Sequence, residues 1–208
     1  MAESHAYEAH RARDVRLSPL EPMGHRLVAL SSGKSVAITE KPFTIQIGLR
    51  GKAGDSVFSK AVKSATGVAL PEDACSVSSA GDTSILWLGP DEWLVVAPDA
   101  EDSDLLSKLE SGLETVSSAV VDLTGNRTVI ELSGPRARDV LEKGCRLDLH
   151  PDAFPVGRVA GTLMAHTQLF LEKLSGEPET FRLYVRASFA RHMAEWLLDA
   201  MAEFTESA

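Results

Sequence analysis

Cysteine is nearly absent from this chain: Cys75 and Cys145 are the only two in 208 residues, far apart and without a CxxC pairing. That excludes a disulfide-framed small fold, a zinc ribbon and thioredoxin-type chemistry, and leaves free thiols of the kind kept in a reducing cytoplasm. Long apolar runs are missing too. No stretch approaches the roughly 20 residues that cross a bilayer, and Met1 to Leu17 has no apolar core of a secretory signal. A cytoplasmic protein without a membrane partner is expected. Positive charge is in deficit, with 21 Lys and Arg against 30 Asp and Glu and a net charge of −9. Such a surface repels phosphates and excludes nucleic acid as the main partner.

Local signatures of chemistry are also lacking. The histidines are His5, His10, His25, His150, His166 and His192, and no two have the i, i+4 spacing that would bind a metal from one helix face. His166, in an expected strand beside Gln168, is the one considered for a buried role. There is no GxGxxG after a strand and no Walker loop. No Ser/His/Asp or Cys/His set can be singled out, because nucleophile and base must meet in space and nothing local marks them.

What is present is a run of unusual density. Aromatic residues make up only 6% of the chain, yet two of its three tryptophans fall within Ile85-Leu86-Trp87-Leu88-Gly89-Pro90-Asp91-Glu92-Trp93-Leu94-Val95-Val96. Gly-Pro-Asp punctuates it, so it reads as strand, turn, strand. Apolar residues do not alternate with polar ones. Leu86 and Leu88 point to one face, Ile85 and Trp87 to the other, so both faces are expected to be covered, by a helix layer or by a partner protein.

Residues 1–24 are polar, with arginines at 11, 13 and 16 and prolines at 19 and 22 that forbid a continuous helix. They read as an extended N-terminal arm, followed by a compact domain over residues 25–208. The first expected strand is Phe43 to Leu49. Asp55 caps a helix carrying Val57, Phe58, Ala61, Val62 and Ala65, ended by Gly67. A strand near Ser76, the tryptophan hairpin, a helix with Leu105, Leu106, Leu109 and Leu113, and a strand over Ala119 to Leu123 complete one half, about residues 43–123. The second half, about 127–204, runs from a strand at Thr128 to Leu132 through a short helix opened by Ser133-Gly134-Pro135 and closed by Gly144. A proline-containing loop from Asp148 to Arg158 follows, then strands over Thr162 to Leu171 and Phe181 to Val185. The last helix starts at Ser188, with Phe189, Met193, Trp196, Leu197, Ala200, Met201 and Phe204 on one face. The fold class is α+β: two side-by-side split β-α-β-like units with mainly antiparallel sheets covered by helices.

Three local clusters carry competing readings. Gly48-Leu49-Arg50-Gly51-Lys52-Ala53-Gly54 is a strand-to-helix turn or a phosphate cradle at the following helix. Asp122-Leu123-Thr124-Gly125-Asn126-Arg127 is a tight structural hairpin, with Asp122 and Arg127 paired across it, or a clamp in which Arg127 holds a carboxylate by a bidentate contact. Lys143-Gly144-Cys145 sets a thiol beside Lys143 and Arg146, which favour a reactive thiolate, but at a helix C-terminus, whose dipole opposes one.

Taken together, the segments Leu88-Gly89-Pro90-Asp91-Glu92-Trp93-Leu94 and Ser188-Phe189-Ala190 to Glu195-Trp196-Leu197, with Val121-Asp122-Leu123-Thr124, Leu132-Ser133-Gly134-Pro135 and the Ser18-Pro19-Leu20 arm, resemble the gamma subunit of heterotetrameric sarcosine oxidase over most of residues 17–204. That family is similar in fold to the folate-binding domain of aminomethyltransferases. The resemblance implies a complex with alpha, beta and delta subunits that oxidatively demethylates sarcosine to glycine, hydrogen peroxide and formaldehyde, or methylene-tetrahydrofolate. It implies FAD, FMN and NAD on the larger subunits, zinc on the delta subunit, and no cofactor on this chain. Where the aminomethyltransferases carry an acidic folate-site residue, the corresponding segment Gly161 to Phe170 has neither Asp nor Glu. The expectation is therefore a structural subunit with no catalytic, cofactor-binding or metal-binding residue. A stand-alone tetrahydrofolate-binding protein or aminomethyltransferase is the alternative from another class. A subunit of a related N-methyl amino acid dehydrogenase is a third.

Overall fold

The computed structural model describes residues 16–31, 35–99 and 103–205. In chain order its elements are α1 (Gly24–Ser31), β1 (Ala37–Lys41), β2 (Ile45–Arg50), α2 (Ser56–Thr66), β3 (Val77–Ala80), β4 (Thr83–Gly89), β5 (Glu92–Ala97), α3 (Leu105–Leu113), β6 (Ala119–Asp122), β7 (Arg127–Ser133), α4 (Ala137–Glu142), β8 (Val159–Met164), β9 (Thr167–Gly176), β10 (Glu179–Arg186) and α5 (Ala190–Thr205). The strands form two five-stranded sheets, ordered β1-β7-β10-β9-β8 and β3-β4-β5-β2-β6. Every pairing within them is antiparallel. The second sheet draws only on residues 45–122, whereas the first joins β1 to strands from the C-terminal part of the chain.

The layers run helix, sheet, sheet, helix. Helices α1, α4 and α5 cover the outer face of the first sheet with Leu27, Val140, Leu141, Met193 and Leu197 against Ile38, Ile130 and Leu183. Helices α2 and α3 cover the second with Phe58, Val62, Leu109 and Leu113 against Ile47, Leu49, Ile85, Trp93 and Val95. Between the sheets a third apolar cluster joins Leu86, Leu94 and Val96 to Val129, Val159 and Tyr184. The tryptophan hairpin is thus covered on both faces, as its composition requires, but the second cover is the other sheet of the same chain. Trp87 faces Trp93 across the hairpin. Trp93 is fully buried, tilted against Phe58 at 5.7 Å, and its indole N–H donates to the Pro71 carbonyl at 3.0 Å.

Several sequence expectations are corrected. Of the extended arm over residues 1–24, residues 1–15 lie outside the described residues. The rest forms a 3-10 turn at Glu21–Met23 leading into α1, with Leu20 and Met23 buried under the first sheet. A proline in the first turn of a helix loses no hydrogen bond there, so Pro22 starts this turn rather than preventing it. Strand β1 precedes the first expected strand, and Phe43 is a left-handed turn residue at φ 57°. The Thr162 to Leu171 run is a hairpin, reversed at Ala165 and His166 with φ of 47° and 63°. Phe189 lies in a short 3-10 turn before α5 and is 47% exposed, off the apolar face. Asp122 to Arg127 is no hairpin: β6 pairs with β2 in one sheet and β7 with β1 and β10 in the other. The turn carries the chain from sheet to sheet.

Candidate functional site at the seam of the sheets

Antiparallel register places side chains in rows across a sheet, and cross-strand partners share a face. One row of the first sheet reads Lys41, Val129, Tyr184, Phe170 and Gly161. The next reads Thr39, Glu131, Arg182, Glu172 and Val159. Val129, Tyr184 and Val159 belong to the apolar cluster between the sheets, so both rows face the seam. Two residues further along, Arg127 stands opposite Arg186 on the same face.

The row of Glu131, Arg182 and Glu172 is charged, and its members are engaged with neighbours. Glu131 accepts from Arg182 Nε at 3.1 Å and lies 3.5 Å from Lys41 Nζ. Glu172 is 2% exposed and accepts the Tyr184 hydroxyl at 2.5 Å. Burial pushes the Glu172 carboxyl above its ordinary range, against the opposing pull of the Tyr184 hydrogen bond and Arg182. Burial, then the neighbouring Glu172 carboxylate, holds the Tyr184 phenol far above its usual value. Farther along β10, Glu179 receives both Arg138 and the nearly buried Lys173. Burial raises its carboxyl, but the Arg138 and Lys173 contacts outweigh this and hold it below the usual range. Next to the charged row a cleft of about 390 Å³ opens between the sheets, lined by Lys41, Thr44, Asp82, Ser84, Ala97 and Arg182 among others.

The residues singled out in the sequence are dispersed. His5 and His10 lie outside the described residues. His166 is exposed in its turn, and His192 Nε2 lies 3.0 Å from the Ala165 carbonyl oxygen. Among the described residues no group of three His, Cys, Asp or Glu is placed to hold a metal. The glycine-rich loop is a packing device. A Cβ on Gly51 would stand 2.6 Å from the Phe58 ring, and the first free N–H groups of α2 are taken by Asp55, whose Oδ1 accepts from Val57 N at 2.8 Å and Phe58 N at 3.4 Å. An anion there would meet a carboxylate. Gly144 is likewise set by packing, since a Cβ would stand 2.5 Å from Trp196. Lys143 is drawn away from Cys145 to the Ala200 carbonyl and Glu203. Asp122 caps its own turn through Thr124 N at 2.9 Å and forms no ion pair with Arg127.

The charged row itself went unread in the sequence. Its members are scattered over three strands, and only register unites them. The available signal was a charge at an alternate position of an apolar strand, as in Thr128-Val129-Ile130-Glu131-Leu132 and Phe181-Arg182-Leu183-Tyr184-Val185.

Residues 50–203 match the model of the family described as sarcosine oxidase, gamma subunit family. Sarcosine oxidase subunit gamma from Corynebacterium sp. (strain P-1) is 40% identical over 191 residues, covering 91% of this chain and 92% of that protein. Among solved structures, heterotetrameric sarcosine oxidase from Corynebacterium sp. U-96 in complex with pyrrole 2-carboxylate superposes with a TM-score of 0.85 at 37% identity, over 93% of this chain and 98% of that one. Glycine cleavage system aminomethyltransferase T from Bartonella henselae shares the fold, with a TM-score of 0.60 at 14% identity, over 84% of this chain and 48% of that one.

Proposed function

The chain belongs to the sarcosine oxidase gamma subunit family, and from that premise we propose that it is a structural subunit of a flavin-dependent sarcosine oxidase. One observation supports the non-catalytic part of this reading: the two cations that line the seam cleft, and the carboxylates Glu131 and Glu172 beside it, already have partners. Arg182 and Lys41 share Glu131, and Glu172 is held by Tyr184. A general base needs a free lone pair facing substrate, and a nucleophile needs a base beside it. The oxidation of sarcosine to glycine, with release of formaldehyde or methylene-tetrahydrofolate and hydrogen peroxide, then proceeds on other subunits. FAD, FMN and NAD are held by the larger subunits and zinc by the delta subunit. Substrate choice between sarcosine and another N-methyl amino acid belongs to the flavin site.

The aminomethyltransferase-like fold raises tetrahydrofolate as a ligand of this chain, and the seam cleft does not fit it. A pterin ring wants a flat aromatic or aliphatic wall and a carboxylate against its amino edge. Among the described residues no aromatic side chain lines the cleft. Its one acidic lining residue, Asp82, is exposed on the β3–β4 turn, and Glu131 is committed to Arg182 and Lys41.

Co-expression with the alpha, beta and delta subunits tests the proposal. The chain co-purifies with the flavoprotein at fixed stoichiometry. Glu131→Gln and Glu172→Gln leave the turnover of the assembled complex within about twofold, the change expected of residues outside the reacting atoms. A chain that stays apart from the flavoprotein, or micromolar tetrahydrofolate binding by the free chain, contradicts the reading.

A further inference from the structure

The two ends of the seam face differ in one respect. At one end Glu131 meets Arg182 and Lys41, and Glu172 accepts from the Tyr184 hydroxyl. At Arg127 and Arg186 like charges meet. The two arginines are direct cross-strand partners on β7 and β10, an arrangement that is destabilising without a counter-charge. Neither forms an ion pair among the described residues. The carboxylate that acts on Arg127 is Glu92, which is already bound to Arg50 at 2.8 Å. Arg127 Nη1 is wholly buried and has no hydrogen-bond acceptor among the described residues. An unmet buried guanidinium N–H carries the full desolvation cost of a charged donor. Burial, then the neighbouring Arg186, lowers the Arg127 pKa from its ordinary value, the mark of a cation short of its anion.

The surroundings orient this guanidinium. The Arg127 carbonyl accepts from Gln46 Nε2 at 2.9 Å, which ties its backbone to β2 across the seam. The guanidinium carbon lies 5.2 Å from the centroid of the Phe170 ring, a cation–π contact. Arg127, Arg186, Gln168, Leu169 and Phe170 enclose a cleft of about 90 Å³. This is room for a group the size of acetate, with two cations and an amide around it and an apolar floor.

We propose that the cleft between Arg127 and Arg186 is a carboxylate-binding site, with Arg127 as the inner and Arg186 as the outer guanidinium and Gln168 as an amide donor. A planar carboxylate accepts two parallel N–H donors from one guanidinium, whereas a spherical halide accepts them poorly, so the site discriminates by shape as well as charge. The carboxylate comes either from a small free acid or from an Asp or Glu side chain of a partner subunit. The second source rests on the subunit reading above; the first does not.

The test uses the full-length chain, titrated with sodium acetate against sodium chloride at equal ionic strength and followed by thermal unfolding and calorimetry, and then the co-expressed complex. For a free acid, acetate raises the Tm of the wild-type chain above the chloride reference. Arg186→Gln weakens acetate binding about tenfold, as expected for loss of one charge-assisted contact. For a partner side chain, acetate has no specific effect. Arg186→Gln then raises the Kd for assembly about tenfold and does not lower the free chain's Tm, because it relieves the like-charge contact with Arg127. Arg127→Gln gives the same pattern more strongly. Because Arg127 is half-buried and its loss can unfold the chain, the exposed Arg186 carries the decision. Arg186→Gln that matches wild type in both its response to acetate and its assembly overturns the proposal. Failure of the wild-type chain to assemble overturns the subunit reading alone, since the acetate titration is read on the free chain.

Discussion

At the scale of single residues, burial decides what each group contributes. Trp93 is a core residue: it is enclosed, packed at a tilt against Phe58 and satisfied at its N–H by Pro71. Trp93→Ala is expected to destabilise the free chain by about 3–5 kcal/mol, the cost of a large aromatic cavity, as a lower urea midpoint. Any loss of assembly then follows from unfolding. Glu172 makes a pH prediction. Its folded pKa lies above the ordinary glutamate value of about 4.3, so the folded state retains a proton that the unfolded chain releases. That contribution is present in full below the unfolded pKa and is lost as pH rises through the folded one. Glu179, with its pKa lowered, acts in the opposite sense: its contribution is present above the ordinary range and lost as pH falls. Glu172→Gln removes the first effect and keeps an acceptor for Tyr184. The stability of wild type relative to Glu172→Gln therefore declines as pH is raised from the acid side toward neutrality, measured as urea midpoints of both chains across pH. A constant difference between the two curves would contradict the buried-acid assignment.

At the scale of elements, ends and close approaches do the specifying. Helix α2 starts where Asp55 takes the Val57 and Phe58 N–H groups and stops at Gly67, whose φ of 74° favours glycine. Asp55→Ala is expected to cost about 1 kcal/mol, read from the shift in chemical denaturation. These caps were legible in the sequence because they are local. The contact of Gly144 with Trp196 was not, because it joins the end of α4 to the middle of α5. Gly144→Ala forces an overpacked contact there and is expected to cost about 1–3 kcal/mol; a smaller loss in Gly144→Ala made together with Trp196→Phe would locate the strain in that pair. The Asp122 to Arg127 turn shows why element reading has a limit. Its residues specify a reversal, with Asp122 capping Thr124, but which strands flank a turn and which strands pair are separate matters. The second is set by long-range register.

At the scale of the molecule, two sheets share one interior. Leu86, Leu94 and Val96 meet Val129, Val159 and Tyr184 across the seam, and Ser76 bridges to Arg158 between the sheets. Fully burying each such side chain contributes about 1.5–3 kcal/mol, so the halves are expected to unfold together. In a Trp196→Phe variant the remaining tryptophans, Trp87 and Trp93, report on the second sheet, while far-UV circular dichroism reports on the whole. Coincident urea transitions are the expected result, and separated ones would mean that the seam is weak. Composition and periodicity alone determined the α+β class, most elements and the two-sided cover of the tryptophan hairpin, because propensity, capping and apolar pattern act over a few residues; the family resemblance came from particular segments such as Leu88 to Leu94 and Ser188 to Leu197. The tertiary structure alone decided that a second sheet provides half of that cover and that β1 completes the first sheet. It also decided that Glu131 meets Arg182 and Lys41 and Glu172 meets Tyr184, while Arg127 faces Arg186. The physical reason is register: charges distant in sequence become neighbours, matched or opposed, only when antiparallel strands align them in rows.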